Sequence, residues 1–291
     1  MKHGMEFLIF QDSTTTTDSS ATTDKPSNPI KWSYHGNTGP EYWSSTYPLC
    51  IGERQSPIDF NIPAMEEKWM EPFWLKNYDT VPTTITMSNN GHSVVIMVEM
   101  PGDLPQFTGG GLNGTYYFRQ AHIHWGITSD SGSEHMMSTK SEEAELHLVH
   151  YKGDYGSIAA ALEHGDGLAV LGVMIHLGYE EHPVFKYITP QLKHIIEPKM
   201  SINLTTPFPL RQLLPDDLSM FYRYKGSLTT PPCLERVMWT VFKDMIITSS
   251  ETMEAFRKLK DVNMLPLSGN FRNIQNETTV HETCIGKVKT N

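Results

Sequence analysis

The chain has 291 residues, a formal charge of −10 and three cysteines, a length that fits one large domain or two ordinary ones. With no lysine or arginine block, this acidic balance excludes the electrostatic footprint of a nucleic-acid binder or of a protein held on an anionic membrane, and it suits a small neutral substrate. No apolar run approaches the roughly 18 residues of a membrane helix, so no membrane span is expected.

Residues 1–29 differ in kind from the rest. Ser13 to Thr17 and Ser19 to Thr23 are almost wholly hydroxyl-bearing or acidic, a composition that cannot bury enough apolar surface to order itself. They read as a disordered Ser/Thr-rich tail before one domain over 30–291. Near the start only Phe7 to Phe10 is apolar, short of the roughly 7 to 15 residues that a secretory signal needs.

Strand-like runs then dominate: Ser93 to Glu99, Tyr116 to Trp125, Ala144 to Tyr151, Leu168 to Leu177 and Val237 to Phe242 are rich in β-branched or aromatic residues. Helices are expected over Ser157 to His164, Pro183 to Ile195 and Glu251 to Lys260, the last with Ser250 as its N-cap. Gly109 to Gly114 satisfies the G-x-G-x-x-G pattern, but a strand rather than a helix follows, so it reads as a mobile loop and not a dinucleotide site. The fold class is therefore mainly β (α+β), a single domain with short peripheral helices.

The chemistry-bearing motif lies in the second and third of those strands. His122 and His124, two apart, project to one face of a strand, and a neighbouring strand would supply His147. Three neutral imidazoles hold zinc tetrahedrally and leave a fourth position for water, the pattern of a catalytic rather than a structural site. His150, three from His147, falls on the opposite face and reads as structural, and His135 need not be a ligand.

The segments around this motif closely resemble the α-class carbonic anhydrases of the secreted type, over about Trp32 to Arg272. They are Asn37 to Trp43, Gly52 to Asp59, Asn89 to His92, Gln120 to Gly126, Gly132 to His135, Asp166 to Gly172, Tyr224 to Cys233 and Leu267 to Arg272. The resemblance implies a large twisted sheet of mostly antiparallel strands and zinc-dependent reversible hydration of carbon dioxide by zinc-bound hydroxide. It assigns hydroxide orientation to Thr229 and Glu134, and the proton shuttle to His92 with an imidazole pKa near 6.5. Tyr34 and Asn90 would order the water chain, and Gln120, Glu145 and Asn270 would hold the ligand histidines. Val149, Val170, Leu228, Val237, Trp239 and Thr230 would form the substrate wall. Val95 stands where the family often has asparagine and Lys225 where proline is common; the first is expected to perturb ordered water near the metal. A binding-only relative would lack a zinc histidine, and none is missing here.

The resemblance also implies a Cys50–Cys233 disulfide, with Cys284 left free. Sequons at Asn113, Asn203 and Asn276 fit export. The expectation is a secreted glycoprotein, opposed by the missing signal and by the cytoplasmic alternative that three reduced thiols would suit.

Overall fold

The computed structural model describes residues 32–276, 281 and 283–288; the expected tail over 1–29 and two residues of the Asn276 sequon lie outside the described residues. Seven strands run side by side through the middle of the molecule. They are Thr84–Asn89 (β1), Val94–Glu99 (β2), Leu112–Trp125 (β3), Ala144–Lys152 (β4), Leu168–Leu177 (β5), Met220–Gly226 (β6) and Val237–Phe242 (β7), in the spatial order β1-β2-β3-β4-β5-β7-β6. Only the β5–β7 pair is parallel within this run, and its crossover carries the helix Phe185–Leu192 and strand β6, as a parallel connection requires. Ser201–Asn203 extends the sheet beyond β1, and Cys284–Val288 then Glu66–Met70 extend it beyond β6, within a mixed sheet of 13 strands among the described residues.

All five expected strands are present, with three adjusted ends, β4 running one residue further to Lys152. β2 starts at Val94 rather than Ser93, and β3 reaches back to Leu112. Gly109 to Gly111 is accordingly no mobile loop: Gly109 pairs with Leu112 across a Gly110–Gly111 turn. All three glycines have positive φ, and a Cβ on Gly110 would strike the Phe73 ring. The turn is tight and covered by an aromatic side chain, which glycine alone permits. The helices are shorter than expected, at Ile158–Ala161, Phe185–Leu192 and Ser250–Arg257. The last is capped by Ser249, not Ser250: Ser249 is extended and its side chain accepts the Thr252 N–H, while Ser250 is already helical.

The sheet separates two apolar layers. One face of β3, β4 and β5 packs Ala121, Ile123, Trp125, Leu146, Leu148, Leu171 and Val173 into the larger core. The other face of β4, β5 and β7 turns Val149, Val170, Val237 and Trp239 into a smaller cluster. Along β3 the phase changes once. Tyr116 and Phe118 face the larger core, yet so do Ala121 and Ile123, because the β3–β4 register slips between Phe118 and Gln120. Phe118 lies opposite His150 and Gln120 opposite Val149, so one extra residue on β3 sends residues two apart to opposite faces. His150 is fully buried on the core side, bonded through Nε2 to the Tyr78 hydroxyl and edge-on to Phe107 and Phe118, in keeping with the structural reading.

Cys50 and Cys233 form a disulfide in a third cluster with Trp32, Tyr34 and Trp43, and Cys284 is free and buried. The bridge spans 183 residues, and restricting the unfolded chain over that span is worth about 5 kcal/mol in the chain-entropy model. Reduction should therefore lower the denaturant midpoint sharply, with Cys50→Ser/Cys233→Ser matching the reduced protein. An unchanged midpoint after complete reduction would contradict this.

Burial holds the His150 imidazole down at about 3, against about 6.5 in the unfolded chain. Between those values the unfolded state binds a proton that the folded state refuses, so stability is full above pH 6.5 and is lost progressively as pH falls towards 3. His150→Gln should flatten that acid limb in pH-dependent urea unfolding. A limb as steep as that of the wild type would assign the acid sensitivity elsewhere.

Candidate metal centre

Past the slip, β3 turns Gln120, His122 and His124 to the face opposite the larger core, and β4 aligns its own residues with them. His122 pairs directly with His147, and His124 with Glu145. The three imidazole centroids lie 4.7 to 5.1 Å apart. Each ring is bonded at its outer nitrogen. His122 Nδ1 meets Gln120 Oε1 at 3.1 Å, His124 Nδ1 meets the Asn270 carbonyl at 2.7 Å, and His147 Nε2 meets Glu145 Oε1 at 2.8 Å.

That bonding leaves His122 Nε2, His124 Nε2 and His147 Nδ1 as the nitrogens facing one another, and the ligand atoms of the trio all lie within 4.8 Å. His124 Nε2 is buried with no hydrogen-bond partner, an expensive state for a polar atom unless something else satisfies it. Burial depresses all three imidazoles below the usual histidine range, His124 to about 4, so each is neutral and able to donate a lone pair at neutral pH. The three buried histidines can hold a metal ion. A second group, His135, Glu145 and His147, is also close, but its atoms are spent on bonds to one another.

Glu145 anchors this arrangement. Its Oε1 accepts from His147 and from His135 Nδ1 at 2.7 Å, and its Oε2 accepts the N–H groups of Glu134 and His135 at 2.9 and 2.8 Å. Burial alone would raise its pKa, but His135, His147 and their hydrogen bonds hold it well below the carboxylate range. Gly172, paired with His147 on β5, leaves room for it: a Cβ there would come within 3.1 Å of Glu145 Oε1. His135 Nε2 continues to the Tyr224 hydroxyl at 2.6 Å, and Tyr224 donates to Ser56 Oγ at 2.8 Å. His135 is no ligand, as expected, but the supporting role of His135 and Tyr224 is not read from the sequence; the one available signal is the adjacency of His135 to Glu134.

Glu134 sits fully buried on the segment between β3 and β4. Its Oε1 accepts the Arg272 N–H at 2.8 Å, while Oε2 lies 3.5 Å from His124 Nε2 and 4.0 Å from His147 Nδ1. Burial pushes its carboxyl up to about 7, against the pull of His147, the Thr229 hydroxyl and the Arg272 N–H. Thr229 and Thr230, on the loop from β6 to β7, open with His122 and His147 onto a cleft. Val149, Val170, Leu228 and Trp239 line it, joined by Ile158, Leu162 and Leu168. Val237, which pairs with Leu168, belongs to the same apolar cluster as Val149, Val170 and Trp239 but is not among the residues that line the cleft.

His92 departs furthest from expectation. Its ring stacks on Trp32 at 3.8 Å with 15° between planes, and the residue is 7 % exposed. Burial therefore lowers its pKa to about 4, opposed by Asp261, instead of leaving it near 6.5. Asn90 Oδ1 accepts the His92 and Ser93 N–H groups at 2.8 and 2.7 Å, so its carbonyl shapes this turn. Tyr34 stands edge-on to His92, and burial and the Glu134 charge raise its hydroxyl well above the usual range. Val95 pairs with His122 across β2–β3, an apolar neighbour at the ligand cluster.

The family model for eukaryotic-type carbonic anhydrase matches residues 38–281. Among curated proteins, Homo sapiens carbonic anhydrase 12 is 36% identical over 260 residues, covering 86% of this chain and 72% of that protein. Among the described residues no helix is long and apolar enough to cross a membrane. The convergent buried histidines, the sheet that carries them and a family match over most of the length agree, and the chain belongs to the eukaryotic-type carbonic anhydrase family, enzymes of carbon dioxide hydration.

Proposed function

We propose that His122, His124 and His147 hold one zinc ion and that the site interconverts carbon dioxide and water with bicarbonate and a proton. The observation that carries this reading is the buried trio itself, each ring fixed from behind and presenting one nitrogen inward. When bound, zinc would lower the pKa of its water to about 7 and so supply a nucleophile at neutral pH, an effect whose standard example is carbonic anhydrase itself.

The chain's own residues do the aiming. Ionised Glu134 accepts a hydrogen bond from the Thr229 hydroxyl, which leaves the Thr229 oxygen free to accept one from the attacking water species and turn its lone pair towards the cleft. Carbon dioxide rests against Val149, Val170, Leu228 and Trp239, an apolar wall suited to an apolar substrate, with Thr230 at its edge. Gln120, the Asn270 carbonyl and Glu145 fix ring orientation and tautomer at the three histidines.

Thr229→Ala and Glu134→Gln should each lower turnover about 100-fold, the scale of losing one oriented hydrogen bond at a reacting centre, while metal content stays at one per chain. Elemental analysis beside stopped-flow hydration separates the two quantities. Wild-type turnover in both variants would remove this role.

His92 relays the proton from the site to buffer, but not while stacked on Trp32, where its pKa of about 4 makes it a poor acceptor at neutral pH. Relay requires the ring to leave Trp32 and regain solvent, where an imidazole titrates near 6.5. His92→Ala should slow turnover in weak buffer by roughly 10-fold or more, and added imidazole should restore much of the loss. An equal imidazole response in wild type and variant would show that His92 carries no protons.

The Cys50–Cys233 disulfide supports an oxidising compartment, and we assign the protein to the exported class, with residues 30–291 as its single catalytic domain.

A further inference from the structure

Asn113, Gly114 and Thr115 make an Asn-x-Thr acceptor sequence, and the sheet gives it a particular neighbour. Leu112 and Tyr116 pack towards the larger core, so Asn113, between them on β3, faces outward and is exposed. On the adjoining strand Gln106–Gly109, Phe107 pairs with Tyr116 on the core side, which turns Thr108 outward. The register slips between Phe107 and Gly109, so Thr108 alone stands across from Asn113 to Thr115.

One strand further, on Phe73–Lys76, Trp74 pairs with Thr108. Its neighbours Phe73 and Leu75 pack on the core, while Trp74 is 54 % exposed. Trp74, Thr108 and Asn113 therefore form an outward row across three strands, about 10 Å long at the usual strand spacing. Short Thr108 leaves the path between its ends low.

We propose that Asn113 carries an N-linked glycan whose first sugar passes over Thr108 and packs its apolar C–H face on the Trp74 indole. The proposal rests on the export reading above. In the modification, Asn113 Nδ2 bonds to C1 of an N-acetylhexosamine at the reducing end of a lipid-linked oligosaccharyl pyrophosphate. The C1–O bond to pyrophosphate breaks, the lipid pyrophosphate leaves, and the amide gives up one proton; nothing is oxidised or reduced. The second sequon lacks this partner: Asn203 Oδ1 accepts the Thr86 hydroxyl at 3.0 Å, and its row continues through Thr86 to Met97.

The test uses the full chain expressed in a secreting eukaryotic cell, with glycopeptide mapping and thermal unfolding before and after enzymatic release of N-glycans. Wild type should carry a glycan at Asn113 and lose about 2 °C of Tm on release, the scale of one aromatic contact in a domain this large. Trp74→Ala should keep the glycan and show no loss at that step. Thr115→Ala should lack the glycan and unfold at the released temperature. Secreted protein with the Cys50–Cys233 bridge but unmodified Asn113 would overturn this proposal alone. Protein retained with reduced cysteines would overturn the export reading and the proposal together. A glycan whose release costs Trp74→Ala as much as wild type would overturn the contact with Trp74.

Discussion

The site depends on one irregularity, the slip between Phe118 and Gln120 in the β3–β4 ladder. A strand with strict alternation would put Tyr116, Phe118, Gln120, His122 and His124 on one face. The larger core would then receive either the aromatics with the histidines or neither. The extra residue lets Tyr116 and Phe118 fill the core at one end of β3 while Ala121, Ile123 and Trp125 fill it at the other, and Gln120, His122 and His124 face away from that core. Because β4 continues without such a break, His147 and Glu145 meet His122 and His124 in direct register. Packing and ligand geometry thus follow from the same backbone feature.

Around that geometry the fold spends buried polar groups freely, and nearly all are answered. Glu145 takes four hydrogen bonds, His135 is bonded at both ring nitrogens, and Tyr224 passes the chain on to Ser56. A half-satisfied network at this depth would cost more than an apolar core, whereas a complete one is rigid. The exceptions are informative: His124 Nε2 and Glu134 Oε2 are buried without partners and face one another across the ligand cluster. One cation between these two atoms would satisfy both. The same burial keeps the histidines neutral and pushes Glu134 up to about 7, so positive charge at that point would favour both the lone pairs and the ionised carboxylate.

Much of this was legible in the amino-acid order, for identifiable reasons. The two-residue period of a strand makes the His122 and His124 pair visible, and long aliphatic runs such as Leu168 to Leu177 carry one assignment strongly. The slip was not legible, because no glycine or proline marks it. Thr84 to Asn89 and Met220 to Gly226 do not read as strands: four of the six residues of the first are hydroxyl-bearing or amide, and the second carries Arg223 and Lys225. The Ser249 cap could not be told from Ser250 without backbone angles. Gly109 to Gly111 looked loose because its aromatic cover comes from Phe73, distant in sequence. The surroundings of His92 are not legible in the sequence, since only the fold brings Trp32 against it.

The central claim is that three imidazoles on two registered strands form one metal centre that is necessary for carbon dioxide hydration. Zinc stoichiometry and hydration rate should be measured together on wild type, on chelated protein and on chelated protein given back one equivalent of zinc, with His122→Ala, His124→Ala and His147→Ala alongside. The account predicts one zinc per wild-type chain, a rate that falls and returns with the metal, and weakened zinc binding in all three variants. Hydration that persists in metal-free protein, or a histidine variant that keeps both its zinc and its rate, would contradict it.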